Sequence, residues 1–262
     1  MIMQMLCRFA PRRHRVYRLI SRLASQRYQV YRVEGGLIYL NLHEHPMMVQ
    51  VAMGTYEAAK QAMIRRRLRP GMTFIDVGAN VGFFTLQAAQ LVGNSGRVIS
   101  IEPAPQNYEY LNRSIQLNGY ANTRALPIAL SDRDGTANLQ ILPLSTAHTF
   151  TQLKPQYSNL PKVTVPTKTL DAVVAEEKLE RVDMVKIDVQ EWEIEVLRGS
   201  IETLQSNPQL VMFLDLPKRL EMRRAIAEIL APFGYTYFPE CDENTPTREI
   251  PPAGFEIAAM RI

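Results

Sequence analysis

A glycine-containing turn is the first place in this chain where residue types and spacing point to chemistry. Gly78 and Gly82 follow the apolar run at residues 72–77, and an apolar helical pattern begins directly after them. Glycines at a strand–helix junction let the backbone turn sharply and let a ligand approach the main chain. Glu102 lies 20 residues beyond Gly82, where an acid can accept hydrogen bonds from both hydroxyls of a ribose. This spacing predicts a ligand that contains a nucleoside.

Asp76 narrows the identity of that ligand. A dinucleotide-binding turn has a glycine where Asp76 stands and holds a pyrophosphate at the helix N-terminus. A carboxylate there would repel a diphosphate and would suit a ligand with a positive amino group and no phosphate. S-adenosylmethionine has a cationic sulfonium and a cationic ammonium, and its carboxylate can meet backbone N–H groups at a helix start. The alternative is a tight turn without a ligand. The presence of Asp76, Asn80 and Glu102 at the expected positions of the motif disfavours this alternative.

The same motifs resemble the FkbM-type family of S-adenosylmethionine-dependent methyltransferases, which has a class I, Rossmann-like fold. The resemblance covers roughly residues 50–216, and its most specific part combines the glycine turn with Val185-Lys186-Ile187-Asp188-Val189. The other matching segments are Gly54-Thr55-Tyr56-Glu57, Pro70-Gly71-Met72, Ile101-Glu102-Pro103, Leu117-Asn118-Gly119, Ala129-Leu130-Ser131-Asp132 followed by Asp134-Gly135, and Glu195-Val196-Leu197-Arg198-Gly199.

The resemblance implies a seven-stranded sheet and O-methylation of a sugar, glycolipid, polysaccharide or natural product. By motif position it implies that the methionine half is contacted from the turn, the ribose from Glu102, and the adenine from the end of the third strand. The implied cofactor-binding residues are Glu57, Asp76, Gly78, Asn80, Gly82, Glu102, Ser131 and Asp132. Alternatives stay open: Asp132 can cap the following turn, Glu57 can face a helix dipole, and Asn118 is interpreted as a helix C-cap.

Methyl transfer requires a group that aligns the acceptor oxygen and removes its proton. Asp188 follows the predicted fourth strand and is the first candidate, with capping of the next helix as the alternative. The family pattern continues Asp-Val-Glu-Gly, whereas this chain has Gln190 and Glu191. An amide is no general base, so Glu191 or Glu193 is a candidate to replace the family's acid, and the acceptor is left open.

Two pairs of side chains are candidates for a metal site. Asp215 follows the predicted fifth strand and could share a divalent metal with Asp188, but two carboxylates without a third ligand make a metal unexpected. His43 and His45 would share one face of a strand, again without a further ligand.

Two residues outside the strand ends remain candidates for contact with the acceptor. His148 lies in a polar loop and is interpreted either as a base that titrates near neutral pH or as a solvated side chain. Trp192 can stack on a sugar ring or pack a helix onto the sheet.

The elements that must position these groups alternate between strand and helix after residue 71. This alternation predicts a doubly wound α/β fold with a mostly parallel sheet. The last two strands have no helix between them, which predicts an antiparallel edge. Predicted strands cover residues 72–77, 97–102, 125–130 with a hairpin extension at 136–142, 163–167, 182–189, 209–216, 234–238 and 255–262; predicted helices cover 83–92, 105–117, the stretch up to 198, and 218–231.

The N-terminal part differs from the rest in charge. Residues 1–70 carry a net charge of +10 and residues 71–262 one of −6. A helix is predicted over residues 12–27, with arginines and an apolar stripe of Val16, Leu19, Ile20 and Leu23, followed by a hairpin at 28–42 and a helix at 56–68. We interpret residues 1–55 as an extension and 56–262 as the methyltransferase domain. The extension acts as a lid or dimer element with a solvated face, or attaches to an anionic membrane.

Composition and absent motifs exclude several classes. The chain is 46% hydrophobic and 21% charged, which indicates a folded protein. Two cysteines make no disulfide framework, so a reduced, cytoplasmic protein is expected. No P-loop motif is present. A nucleic-acid methyltransferase that uses the basic extension is a weaker alternative because the fourth strand lacks an Asp/Asn-Pro-Pro-aromatic turn. A third possible function, suggested by Gln190, is a non-catalytic module that binds S-adenosylmethionine.

Overall fold

Helices and strands occur along the whole described chain. The computed structural model describes residues 13–24, 28–141, 150, 160–251 and 256–261. The helices are α1 (Arg13–Leu23), α2 (Pro46–Ala52), α3 (Ala58–Arg67), α4 (Phe83–Val92), α5 (Pro105–Asn118), α6 (Leu170–Glu176), α7 (Glu193–Arg198), α8 (Ile201–Ser206) and α9 (Leu220–Leu230). The strands are β1 (Gln29–Val33), β2 (Gly36–Leu40), β3 (Thr73–Val77), β4 (Arg97–Ile101), β5 (Thr123–Leu126), β6 (Ala129–Leu130), β7 (Gly135–Gln140), β8 (Lys162–Lys168), β9 (Met184–Ile187), β10 (Val211–Asp215), β11 (Thr236–Pro239) and β12 (Glu256–Met260).

The central sheet has seven strands in the order β11-β12-β10-β9-β3-β4-β5. Strands β10, β9, β3, β4 and β5 are parallel, and β12 runs antiparallel to both of its neighbours. The predicted mostly parallel sheet with an antiparallel edge is therefore confirmed. In β3, Phe74 packs in one apolar cluster and Ile75 in a second one, because successive side chains of a strand point to opposite faces. Both faces of the sheet are covered, which explains the near-continuous apolar sequence of these strands.

A proline divides the predicted strand at residues 125–130. Pro127 has no backbone N–H to donate to a ladder, and the chain forms β5 in the central sheet and β6 in a separate sheet. That second sheet has the order β6-β8-β7, in which β7 pairs antiparallel with β8. The predicted hairpin between 125–130 and 136–142 is therefore wrong, because β8 lies between the two strands.

Helix α2 was missed, and it replaces the strand on which two histidines were expected. His45 precedes α2, and its Nδ1 accepts a hydrogen bond from the backbone N–H of Met47 at 3.2 Å, which caps the helix. The Nδ1 atom of His43 lies 3.1 Å from the carbonyl oxygen of Ser21. The two histidines thus have separate local roles and do not share the face of a strand.

Asn118 connects the N-terminal hairpin to the central domain. Its Nδ2 donates to the carbonyl of Leu37 at 2.7 Å, and its Oδ1 accepts from the N–H of the same residue at 2.7 Å. The predicted role as a C-cap is wrong, because Gly119 takes the left-handed conformation with φ 64° and ends α5. The asparagine is free to bind β2 because glycine fulfils the cap.

We expect Asn118→Ala to lower the free energy of unfolding by about 1–3 kcal/mol, because it leaves two part-buried backbone groups of Leu37 without their partner. Urea denaturation measures this loss. Asn122→Ala removes amide bonds to the carbonyls of Ala89 and Gly93 but makes no contact with the hairpin. Only Asn118→Ala should therefore speed the hydrogen exchange of the β1–β2 amides, and equal exchange in both variants would contradict the anchoring role.

Candidate active site

A cavity of about 200 Å³ lies at the carboxyl ends of β3, β4, β9 and β10. This is the edge at which open α/β sheets bind their ligands. Four carboxylates and the ammonium of Lys186 stand among its lining residues, which gives it an acidic character. The lining includes Gly78, Ala79, Asn80 and Val81 of the turn, the acids Glu57, Glu102, Asp188 and Asp215, and the apolar or aromatic residues Met47, Val51, Tyr56, Phe83, Phe84, Leu139, Phe150 and Val189.

The two glycines of the turn are required by backbone geometry. Gly78 has φ +75°, and a Cβ atom there would stand 2.0 Å from the carbonyl oxygen of Asp188. Gly82 has φ +97°, and a Cβ atom there would stand 2.7 Å from Cδ1 of Leu111. Gly82 begins α4 and is not among the cavity residues, so it shapes the turn without lining the site.

The structure corrects the role expected for Asp76. Its side chain is fully buried behind the turn and is not among the cavity residues. One carboxylate oxygen accepts a hydrogen bond from Oγ1 of Thr85 at 2.7 Å, and the other lies 3.3 Å from Nζ of Lys186. Direct contact between Asp76 and a ligand ammonium is therefore not supported, because both oxygens already face partners inside the protein.

No role was predicted for Lys186, which lies between the glycine turn and Asp188. Its Nζ donates to the carbonyl of Gly78 at 2.8 Å and lies 3.7 Å from a carboxylate oxygen of Asp188. Burial alone would lower the pKa of this ammonium, but the carboxylates of Asp76 and Asp188 raise it above its ordinary value. A charged lysine in the middle of the apolar strand β9 was the available signal, because a buried charge needs specific partners.

Glu102 is oriented by the turn and faces the cavity. One oxygen accepts from the N–H of Asn80 at 2.8 Å and the other from the N–H of Ala104 at 3.0 Å. The side chain of Asn107 also hydrogen-bonds this carboxylate, which keeps acceptor capacity for a ligand hydroxyl. Burial raises the pKa of Glu102 to about 7, although the two backbone N–H groups and Lys186 lower it. Glu102 therefore lies beside the glycine turn, as its position in the sequence predicted.

Glu57 lines the cavity and is held by a fully buried lysine. Its carboxylate lies 2.6 Å from Nζ of Lys60, which is also 2.8 Å from a carboxylate oxygen of Glu256. Glu57 occupies the N-cap position of α3, but its side chain makes no capping hydrogen bond there. Lys60 therefore links the start of α3 to the edge strand β12 and fixes Glu57 beside the cavity.

Asp188 and Asp215 bring two carboxylates to the same cavity. Asp188 accepts a hydrogen bond from the side-chain amide of Gln190 at 3.2 Å, in addition to its ion pair with Lys186. Burial, followed by repulsion from Asp188, raises the pKa of Asp215 to about 6. Within the described residues, no group of three or more His, Cys, Asp or Glu side chains is arranged to hold a metal ion.

The turn that follows Asp188 directs Glu191 away from the cavity. Gln190 and Glu191 both have positive φ values, of 53° and 69°. The Glu191 carboxylate lies 3.3 Å from the guanidinium of Arg219 and is not among the cavity residues. Glu193 is buried, and its carboxylate accepts from the N–H groups of Val189 and Glu191. Neither acid therefore faces the cavity in place of the family's Glu.

We expect Glu191→Gly to raise the free energy of unfolding by about 0.5–1 kcal/mol. A left-handed backbone costs a non-glycine residue about 1–2 kcal/mol, and the greater freedom of glycine in the unfolded chain offsets part of the gain. Thermal denaturation gives the measurement. Glu191→Ala is the matched control, since it keeps the strained φ and loses the exposed pair with Arg219; if it stabilises as much as glycine does, backbone strain is not the cause.

Two of the predicted cofactor-binding residues line a different cavity. Ser131 and Asp132 line a second cavity, of about 260 Å³, together with Trp192 and Glu195, so the structure does not bring them to Glu102. The ring of Trp192 lies 5.1 Å from that of Phe150, which lines the first cavity. His148 lies outside the described residues.

The comparisons with known proteins agree on one class of enzyme. Methyltransferase sdnD of Sordaria araneosa is 30% identical over 155 residues, which cover 48% of this chain and 59% of that protein. Methyltransferase 1 of Beauveria bassiana is 28% identical over 142 residues, which cover 48% and 57%. The chain thus matches less than two thirds of the length of these curated relatives.

The chain also resembles a solved structure and matches a family model. An FkbM methyltransferase of Methylobacillus flagellatus has 12% identity and a TM-score of 0.48, over 83% of this chain and 54% of that one. The model of the methyltransferase FkbM domain matches residues 76–237, a stretch that begins in β3 and ends in β11. The chain therefore belongs to the FkbM methyltransferase family.

Proposed function

We propose that this chain is an S-adenosylmethionine-dependent methyltransferase that methylates a hydroxyl of a sugar, glycolipid or natural product. The observation that carries the proposal is the acidic cavity at the carboxyl edge of the sheet, in which Glu102 is held by the backbone of the glycine turn. A cationic, phosphate-free ligand fits an excess of carboxylates, whereas a diphosphate would be repelled. Membership of the FkbM family supports the same reaction class.

The residues present fit this cofactor in two places. Glu102 faces the cavity and can accept a hydrogen bond from a ribose hydroxyl. The N–H groups of Gly78 and Ala79 already donate to the carbonyl of Ile101, and that of Asn80 donates to Glu102. The donors for the cofactor's carboxylate are therefore the first N–H groups of α4, beginning at Phe83, because the first turn of a helix leaves them without partners in the helix.

Bound S-adenosylmethionine supplies an electrophilic methyl group on a cationic sulfur. The chain must align the acceptor hydroxyl and take its proton. Asp188 faces the cavity and is held in place by Lys186 and Gln190. The side chain of Asp215 faces the same cavity, makes no hydrogen bond or ion pair with the described residues, and has a pKa raised by burial to about 6. These two carboxylates are the candidate proton acceptors, and the raised pKa of Asp215 suits a base near neutral pH.

The apolar part of the cavity lining supports an acceptor that has an apolar portion. Met47 and Val51 of α2, Leu139 of β7 and Phe150 give one part of the lining an apolar surface. An acceptor with an apolar portion beside its hydroxyl fits this surface. This favours a glycolipid or a natural product over a free sugar.

The test is incubation of the purified chain with S-adenosylmethionine carrying an isotopically labelled methyl group and a panel of sugars, glycolipids and hydroxylated natural products. We expect a labelled methyl ether, identified by mass spectrometry, and loss of turnover in Asp188→Asn or Asp215→Asn with the cofactor still bound. Label found only in nucleic acid would favour the nucleic-acid alternative. Binding without transfer to any acceptor would favour the non-catalytic one.

A further inference from the structure

Helix α1 presents an exposed face that combines two leucines with arginines. Leu19 and Leu23 are 58% and 77% exposed. Arg15, Arg18 and Arg22 are exposed as well. At 100° per residue these five positions share one continuous arc, with the arginines along one half and the leucines along the other. We call this arc the α1 face.

The opposite side of the helix is already used for packing. Tyr17 and Ser21 are buried, and Val16 and Ile20 pack against the core. The predicted apolar stripe of Val16, Leu19, Ile20 and Leu23 is therefore divided, because only its first and third members reach the core. Leu19 and Leu23 contribute little to the fold in the described residues, yet they keep a large apolar surface in water.

The charge on the α1 face has no partner among the residues that the structure describes. Helix α1 contains no acidic residue, and its arginines form no ion pair with any residue of the described part of the chain. Strand β1, the next element of the chain, also has an exposed arginine, Arg32, and an exposed valine, Val30, which is 46% exposed. Residues 1–70 as a whole carry +10 and the remainder −6. An anionic partner is the complement to this surface, and the molecule's charge asymmetry would orient it toward such a partner.

We infer that the α1 face docks on an anionic lipid membrane. Arginines near an anionic bilayer gain electrostatic attraction, and leucines on the same helix face gain by entering the boundary between headgroups and acyl chains. The phosphates of a nucleic acid would attract the arginines, but a nucleic acid has no apolar region into which the leucines could be buried. The combination therefore favours lipid over a nucleic-acid polyanion.

The docking face lies one helix away from the candidate active site. The hydroxyl of Tyr17 lies 3.3 Å from Oγ1 of Thr55, and Oγ of Ser21 donates to the carbonyl of His43 at 3.3 Å. Helix α1 packs on α2, which contributes Met47 and Val51 to the cavity. A docked molecule would thus hold its cavity close to the lipid surface. The benefit of holding the cavity near lipid rests on the proposed function, whereas the docking of the α1 face does not.

The test is sedimentation of the full chain with vesicles of phosphatidylcholine, with and without phosphatidylglycerol, at low and high salt. We expect the chain to pellet with the anionic vesicles and to be released by salt, because salt screens exposed charges. Replacing Arg15, Arg18 and Arg22 by serine should weaken partition by about 100-fold, at about fivefold for each arginine. Leu19→Ser with Leu23→Ser should weaken it by at least about tenfold.

Leu220→Ser with Arg224→Ser is the matched control, because α9 also exposes a leucine and an arginine four residues apart. It should leave vesicle binding unchanged. Equal pelleting with neutral vesicles, no pelleting with anionic ones, or undiminished binding of the leucine variant would overturn the inference. Binding to a DNA duplex that the leucine variant retains would assign the arginines to a nucleic acid instead. Binding of S-adenosylhomocysteine by each variant, measured separately, distinguishes failure of docking from failure of the proposed function.

Discussion

Replacing Lys186 by methionine is expected to lower the free energy of unfolding by about 3–5 kcal/mol, since it leaves a buried carboxylate without its counter-charge. Asp76 is fully buried and lies 3.3 Å from the lysine ammonium. The same substitution removes the hydrogen bond to the carbonyl of Gly78 at 2.8 Å, so the glycine turn loses its support from β9. We expect S-adenosylmethionine binding to be lost together with stability. Urea denaturation and calorimetric titration give the two measurements.

The double variant Lys186→Met with Asp76→Asn is the control that isolates the buried charge. An amide in place of the carboxylate can still accept the hydrogen bond from Thr85 and carries no charge. We therefore expect the double variant to regain a large part of the stability that Lys186→Met loses. If Lys186→Met costs no more than an ordinary surface substitution, about 0.5 kcal/mol, Lys186 does not have the structural role described here.

Glu102→Gln is expected to weaken S-adenosylmethionine binding by about 10- to 100-fold. Hydrogen bonds to a charged group contribute about 1.5–3 kcal/mol, and the amide has only one oxygen with which to replace two acceptors. Calorimetric titration measures the dissociation constant. Glu195→Gln is the matched control because Glu195 lines the second cavity. The affinity of this variant for S-adenosylmethionine should stay unchanged. Equal losses in both variants would contradict the assignment of Glu102 to the ribose.

The pH dependence of the same titration tests the charge state of Glu102. Burial raises its pKa to about 7 from the ordinary 4.5. The carboxylate form accepts the ligand's hydroxyls, so affinity should rise between pH 5 and about 8, and Glu102→Gln should flatten the rise. Because the folded-state pKa is raised, the folded protein binds more protons than the unfolded chain between pH 4.5 and about 7. Glu102 therefore costs the ligand-free protein stability as pH increases across that interval.

Local patterns were sufficient to predict most strands of the central sheet. The run that became β3, the glycines after it and the apolar helix α4 follow one another in sequence, and the prediction of α4 matches the structure at both ends. The pairing of β7 with β8 was not predictable in this way. Strands β7 and β8 are separated by a long connection. No local signal in the sequence distinguishes this pairing from a hairpin between β7 and the segment at 125–130. Helix α2 was missed because its start depends on a histidine, which is not a usual N-cap residue.

The site was predicted in part, and the errors have a common cause. Residue types identified Glu102, Gly78 and Asp188, which line the cavity together. They did not indicate on which side of the turn each carboxylate would lie. Asp76 was assigned to the ligand, whereas the structure pairs it with Lys186; Glu191 was assigned to catalysis, whereas its left-handed backbone turns it toward Arg219. Both outcomes depend on long-range partners that a pattern of residues along the chain does not contain.

Calorimetric titration of the purified chain with S-adenosylmethionine, S-adenosylhomocysteine and NAD tests the identity of the ligand most directly. We expect both adenosyl sulfur compounds to bind one site per chain and NAD to show no heat of binding, because the carboxylates of the cavity repel its pyrophosphate. Binding of NAD with no response to S-adenosylmethionine would contradict the account.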